Sequence, residues 1–273
     1  MSKQVNQGFV MKCGGSTLAD LPDSFFEQLR DVQASGVVPV IVHGGGPAIS
    51  DTLSKLGIET EFVHGLRKTS DEVLNVVEMV LAGSMNKQIV RRLNRVGASA
   101  LGLSGTDGQL IQAQPVPQAE EIGFVGDVIY VEAALINGVM EMGYIPVIAP
   151  IGIDEAGQRY NINADTAAGA VAAHLGVKRL VVITDVAGIM KPVDGELTLL
   201  PVVTTEDIEK MIVLGEIYGG MIPKVRAAMK SLEGGVTEVV IAKGTEPDVL
   251  KRLAAGEELG TRIVVHHPET ADV

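Results

Sequence analysis

Strand-length apolar runs alternate with amphipathic helical stretches along most of this chain, and that alternation constrains its fold more than any other feature. The runs cover residues 9–12, 38–43, 98–104, 145–150, 179–184, 238–242 and 262–265. Between them a helical period recurs over 21–35, 48–56, 71–81, 87–96, 132–142, 165–175, 205–214 and 224–232. Most strands are rich in Val, Ile and Leu without a polar face, which fits a sheet covered on both sides. Strand–helix alternation predicts βαβ crossovers, hence an α/β fold with a mainly parallel sheet. Two stretches, 58–69 and 109–130, break the rhythm and read as short strands and hairpins, a lid on the N-terminal half. No linker rich in Pro, Gly or Ser appears, so two lobes sharing one sheet are expected rather than two tethered domains.

Two of the apolar runs end in consecutive glycines. The first leads into Lys12-Cys13-Gly14-Gly15, the second into His43-Gly44-Gly45-Gly46-Pro47. Without Cβ atoms, such turns let several backbone N–H groups face one anion at the end of a sheet. Two such turns, one carrying Lys12, suggest two anionic groups held side by side. Neither turn is a P-loop or a dinucleotide fingerprint, since G-x-x-x-x-G-K-[ST] and G-x-G-x-x-G are both absent. The HGGG segment matches an esterase oxyanion loop, but the nearest nucleophile elbow, Gly102-Leu103-Ser104-Gly105-Thr106, lacks its final glycine.

Charge and composition narrow the partners. The 273 residues carry a formal net charge of −12, with 3% aromatics and no Trp, which disfavours nucleic acid and anionic membrane surfaces. An acidic protein that binds anions must concentrate positive charge locally, and Lys12, Arg67, Lys68 and Lys224 are the candidates. No uninterrupted apolar run reaches spanning length, the first residues are polar, and a lone Cys13 cannot form an internal disulfide. A cytoplasmic protein is expected. The five histidines show no metal-ligand spacing with Cys13, and no residue is assigned to a metal; His266-His267 reads as an exposed tail.

Three further segments carry polar residues at element ends. Asn161, Asn163 and Asp165 precede an Ala-rich helix; Asn163 is either its N-cap or part of a polar substrate site. Thr184-Asp185 ends an apolar strand, either as an ordinary exit or as a nucleotide edge. Gly219-Gly220-Met221-Ile222-Pro223-Lys224 places a lysine in a helix's first turn, where the macrodipole disfavours a cation unless an anion is present.

In order and spacing, these segments resemble the amino acid kinase family over nearly the whole chain. The resemblance rests on KCGG at 12–15, IVHGGGP at 41–47, GLRKT at 65–69, LAGSMNK at 81–87, NINAD at 161–165, TDVAGIM at 184–190, GGMIPKV at 219–225 and GTRI at 260–263. It implies a three-layer αβα sandwich with the acyl amino acid on an N-terminal lobe (1–177) and ATP on a C-terminal lobe (178–273). The branch it points to phosphorylates the side-chain carboxylate of N-acetyl-L-glutamate, the second step from glutamate to arginine, using ATP with Mg²⁺. Carried over by motif, Lys12 and Lys224 would stabilise the transferring phosphoryl group while Asp165 holds both lysines. Gly45, Gly46, Arg67, Asn161 and Asn163 would bind the substrate. Gly14, Gly15, Thr184, Asp185, Gly188, Ile189, Gly219, Gly220 and Met221 would line the nucleotide. Cys13 departs from the aromatic or aliphatic residue of many relatives and reads as a small packing residue.

Related kinases acting on carrier-linked aminoadipate or glutamate, and a non-catalytic ligand sensor of the same fold, are the alternatives. Because about eight residues precede the first strand, too few for a long helical arm, a homodimer insensitive to arginine is expected. Its contact is assigned to the apolar helix around 73–81. A PII-type signalling partner is conceivable but has no support in the sequence.

Overall fold

Eight strands form the central sheet of the computed structural model, which describes residues 6–63, 65–193 and 196–266. They are β1 (Asn6–Cys13), β2 (Val37–His43), β3 (Ala100–Ser104), β4 (Ile145–Ala149), β5 (Arg179–Thr184), β6 (Val202–Thr204), β7 (Glu238–Lys243) and β8 (Thr261–Val264). Their order is β6-β8-β7-β5-β1-β2-β4-β3, and every neighbouring pair is parallel except β7 with β8. The expected mainly parallel sheet is therefore present, flanked by helices. Both neighbours of β1 lead away in opposite directions, so the carboxyl ends of β1, β2 and β5 surround a switch point of the kind where α/β sheets bind ligands.

All seven sequence-predicted strands exist. The short β6 was not anticipated, because three residues after Pro201 carry no readable period. Nor were the hairpin of Met190–Val193 with Glu196–Leu199 and the helix Val249–Ala254. The stretch 21–35 is split differently from the expectation: a short helix Gly15–Asp20 ends at Leu21, and a second runs Asp23–Ala34. Pro22 forces Leu21 to extended geometry (ψ 131°), which explains the break. The second helix buries Phe25, Phe26, Leu29 and Val32 on one face, with the two rings packed edge to face. Conversely, the helices expected at 71–81 and 87–96 form one rod. Asp71–Glu78 runs through a π-helical turn, Met79–Met85, into Asn86–Arg95. Burial of Val80, Leu81 and Met85 holds the helix together across Gly83 and Ser84.

That rod also accounts for the apolar residues from which the dimer contact was argued. Val73, Leu74, Val76, Val77, Val80 and Leu81 are all buried within the chain, five of them in a cluster with Ile49 and Leu53. Only Met79 on this stretch is a strongly exposed apolar residue. The apparent hydrophobic surplus is used inside the fold.

The irregular stretches form structure of their own. Phe62–Val63 and Leu66–Arg67 make a small hairpin. Ile111–Pro115 and Val125–Val131 join Ile151–Ile153 and Arg159–Ile162 in a closed four-stranded barrel. Because two of its strands come from 151–162, the barrel could not be read from 109–130 alone.

Small residues set one more spacing that matters for the site. In the helix Ala164–Leu175, a Cβ added to Gly169 would lie 2.4 Å from Ser231 Oγ, on the helix Met221–Glu233. Ala167, Ala168 and Ala172 are buried on the same helix. These residues allow the two helices that carry Asp165 and Lys224 to pack at close range.

Candidate active site

The two glycine turns are neighbours, since β1 and β2 are adjacent strands with Cys13 registered against His43. The Gly44 N–H donates to the Cys13 carbonyl oxygen at 2.9 Å, tying one turn to the other. A Cβ on Gly15 would fall 2.5 Å from Gly45 Cα, and one on Gly45 would fall 2.6 Å from Leu81 Cδ2. Glycine is thus a steric requirement at Gly15, where the clash is with backbone, whereas at Gly45 the contact is with the end of a leucine side chain. Gly46 opens the helix Gly46–Leu56, with Pro47 in its first turn, so unpaired N–H groups collect at this end.

Lys12 lies on β1 between the buried Met11 and Cys13, so its side chain leaves the opposite face of the strand. Its Nζ pairs with Asp165 Oδ1 at 3.0 Å. Asp165 occupies the first turn of the helix Ala164–Leu175, where the macrodipole favours a carboxylate. Asn163 caps that helix: its Oδ1 accepts from the N–H groups of Asp165 and Thr166 at 2.8 and 3.2 Å. The capping alternative for Asn163 therefore holds, although the residue also lines the cleft.

Arg67 is 6% exposed. Its guanidinium donates to Gly46 O (3.1 Å), Ser50 Oγ (2.8 Å) and Thr60 Oγ1 (3.2 Å), and its Cζ lies 4.6 Å from the centre of the Phe62 ring. Among the described residues no carboxylate pairs with it. Burial without a counter-ion pulls its pKa below the usual arginine value. A buried cation with free donors is built to receive an anion. Asn161 stands nearby, its Nδ2 donating to Thr69 Oγ1 at 3.2 Å.

Together these residues line a cleft of about 230 Å³. Gly14, Gly15, Gly45, Gly46, Asn161, Asn163, Lys12, Asp165 and Arg67 all face it, and Ile49, Leu81, Val125 and Ile162 supply apolar wall. Such a volume and mixed lining suit a small acyl amino acid. The apolar wall was not identified from sequence, because it is drawn from four separate elements.

Lys224 stands apart from the cleft's ion pair. Its Nζ donates to Thr184 Oγ1 at 2.8 Å and approaches Asp185 Oδ1 at 3.6 Å, at the carboxyl end of β5. The expectation that Asp165 holds both lysines meets a different arrangement: Asp165 holds Lys12, and Thr184-Asp185 holds Lys224. Thr184 also donates to Asp185 Oδ1, which together with Lys224 holds the Asp185 carboxyl below its usual range. Gly219, Gly220 and Met221 open the helix bearing Lys224, with Gly219 at φ +57°. Gly188 and Ile189 are anchored on Thr261. A Cβ on Gly188 would lie 2.4 Å from Thr261 Oγ1, and the Ile189 N–H donates to that oxygen at 2.8 Å.

Cys13 is fully buried and its thiol pKa is pushed up to about 12 by that burial, so it is a packing residue as expected. Ser104 donates to or accepts from Thr106 Oγ1, not an imidazole, which removes the esterase alternative.

The match to the amino acid kinase family model spans residues 7–243. This chain belongs to the amino acid kinase family. Within the family it is 48% identical to the acetylglutamate kinase of Halalkalibacterium halodurans over 260 residues, covering 94% of this chain and 97% of that one. It is 51% identical to the acetylglutamate kinase of Geobacillus kaustophilus over 235 residues, covering 86% and 89%. A solved structure from Streptococcus mutans superposes with a TM-score of 0.81 at 29% identity, covering 94% and 98%.

Proposed function

We propose that this chain transfers the γ-phosphoryl group of ATP to the side-chain carboxylate of N-acetyl-L-glutamate, forming the acyl phosphate and ADP. The observation that carries this reading is the cleft itself. It places at one side a buried arginine with no carboxylate partner among the described residues, and at the other a lysine–carboxylate pair beside two glycine turns. Acetylglutamate kinases that match this chain over most of their length give the same direction.

A carboxylate is already a competent nucleophile, so no general base is needed. Catalysis then consists of in-line alignment and neutralisation of charge on the phosphoryl group. Arg67 would hold the α-carboxylate, Asn161 would orient the acetylamino group, and the apolar wall would take the acetyl methyl and side-chain methylenes. Lys12 and the amides of Gly15, Gly45 and Gly46 would face the phosphoryl oxygens from the substrate side. Lys224 would face them from the nucleotide side, with Thr184, Asp185 and the Gly219–Met221 turn along ATP. The one carboxylate among the residues lining the cleft, Asp165, is already paired with Lys12, and the remaining charged groups are cations beside backbone N–H donors, a set that complements phosphate oxygens rather than a bare metal. Mg²⁺ would therefore arrive bound to the ATP phosphates, where it supplies further charge neutralisation.

Residues 1–177 would act as the acyl amino acid lobe and 178–273 as the ATP lobe of one cytoplasmic enzyme of arginine synthesis. No helix among the described residues is long and apolar enough to cross a membrane. A homodimer is part of the same proposal; on the helix Asp71–Glu78 and its π extension, Met79 is the strongly exposed large apolar side chain.

Hydroxylamine trapping of acyl phosphate tests the reaction. Purified protein with MgATP should give acyl hydroxamate with N-acetyl-L-glutamate and far less with free glutamate, N-acetyl-aspartate or aminoadipate derivatives. Turnover with another acyl acceptor, or none, would displace this reading.

A further inference from the structure

Behind the glycine turn lies a buried polar pair that the reaction as described does not use. His43 and Asn86 are both fully buried, one at the carboxyl end of β2 and the other where the π-helical turn becomes the helix Asn86–Arg95. Asn86 Nδ2 lies 2.8 Å from Val147 O, 3.2 Å from Leu103 O and 3.3 Å from His43 Nε2, while Asn86 Oδ1 accepts from Lys87 Nζ at 3.0 Å. Two carbonyls and an ammonium fix the orientation of this amide, because a carbonyl can only accept and an ammonium can only donate. An amide nitrogen does not accept, so His43 Nε2 faces it as an acceptor, sharing the two amide hydrogens with the two carbonyls. The imidazole proton is left on Nδ1, which lies 3.1 Å from the Gly44 carbonyl oxygen.

That bond reaches the cleft through one peptide plane. The described residues contain no cis peptide, so the Gly45 N–H points opposite to the Gly44 C=O. With the carbonyl held inward by His43, the N–H faces away from it, toward the side that Gly44, Gly45 and Gly46 line. Among the described residues no backbone or side-chain acceptor takes the Gly45 N–H. Leu81 and Met85, from the π-helical turn, lie where a Cβ on Gly45 would fall.

We propose that His43 is a positioning residue, its Nδ1–H, oriented by Asn86, holding the Gly44 carbonyl so that the Gly45 N–H is aimed at the transferring phosphoryl group. This rests on the kinase reading above. A donor aimed at developing oxyanion charge acts mainly on the transition state, so its loss appears in kcat rather than in substrate KM.

The test compares three substitutions in the full-length protein. His43→Leu removes the donor at similar volume and leaves the Asn86 amide its two carbonyl acceptors. His43→Asn keeps an N–H near the Nδ1 position, and His43→Gln carries its amide toward the Nε2 position instead. Expected are a drop in kcat of roughly 10- to 100-fold for His43→Leu, with the acetylglutamate KM within about threefold. His43→Asn should recover at least a large part of kcat, and His43→Gln should not. If His43→Leu does not fold, the Asn and Gln variants, equally polar, carry the comparison by themselves. Equal kcat in those two variants, or a kcat for His43→Leu near that of the unmodified protein, would overturn the positioning role while the kinase reading stands. An unmodified protein that forms no acyl phosphate would overturn both.

Discussion

Arg67→Lys probes the most unusual electrostatic feature of the cleft. The guanidinium is buried, has no carboxylate partner among the described residues, and uses three of its five N–H donors on Gly46 O, Ser50 Oγ and Thr60 Oγ1. Lysine keeps the charge but replaces a planar fork by a point cation that cannot reproduce those three bonds and also reach a ligand. Losing one charge-assisted hydrogen bond to the substrate's α-carboxylate costs about 1.5–3 kcal/mol. At about 1.4 kcal/mol per decade, this converts to a roughly 10- to 100-fold rise in the acetylglutamate KM. The ATP KM should stay within about twofold, since Thr184, Asp185 and Lys224 lie at a different strand end. Initial rates from hydroxamate formation, varying one substrate at saturating levels of the other, separate the two constants. Melting temperature guards against a packing defect, because the guanidinium also stacks on Phe62. A comparable rise in both KM values, or a loss confined to kcat, would refute the assignment of Arg67 to the substrate carboxylate.

Lys224→Ala should lower kcat by roughly 10²- to 10³-fold with little change in acetylglutamate KM, as expected for a cation acting on the transition state; steady-state kinetics checks it, and a near-normal kcat would assign Lys224 a structural role. Gly15→Ala places a Cβ 2.5 Å from Gly45 Cα, a backbone atom with little freedom to yield. It should cost about 1–3 kcal/mol of stability and at least tenfold in kcat, read from denaturant melts and initial rates; unchanged values would show that the turns tolerate separation. His43 supplies a pH signature, since burial pushes its pKa down to about 4 against a bond to Gly44 that opposes the shift. The unfolded chain binds the proton first, so this stability is complete above pH 6.5 and is lost as pH falls toward 4, roughly 2 kcal/mol between pH 7 and 4.5. Thermal melts across that window should show the slope, and His43→Asn should flatten it.

The parallel sheet, the glycine turns and the motif residues were legible along the chain because each depends on near neighbours. A Val/Ile run predicts a covered strand, consecutive glycines predict a tight turn, and Asn163 ahead of an Ala-rich stretch predicts a cap. All of these appear in the fold. Contacts between distant segments were not legible in the same way. Lys12 and Asp165 are a pair only because β1 packs under the helix Ala164–Leu175, and no local pattern states which lysine Asp165 meets. The assignment of Lys224 to Thr184 and Asp185, the barrel completed by 151–162, and the burial of Val73, Val76 and Val77 within the chain likewise required the assembled fold. Periodicity reports that a face is apolar but not what covers it, and residue type reports a charge but not its counter-ion. Asn86 shows the limit most clearly: in sequence it is one polar residue between two helical stretches, and three-dimensional packing makes it the group that sets the tautomer of His43 beneath the glycine turn.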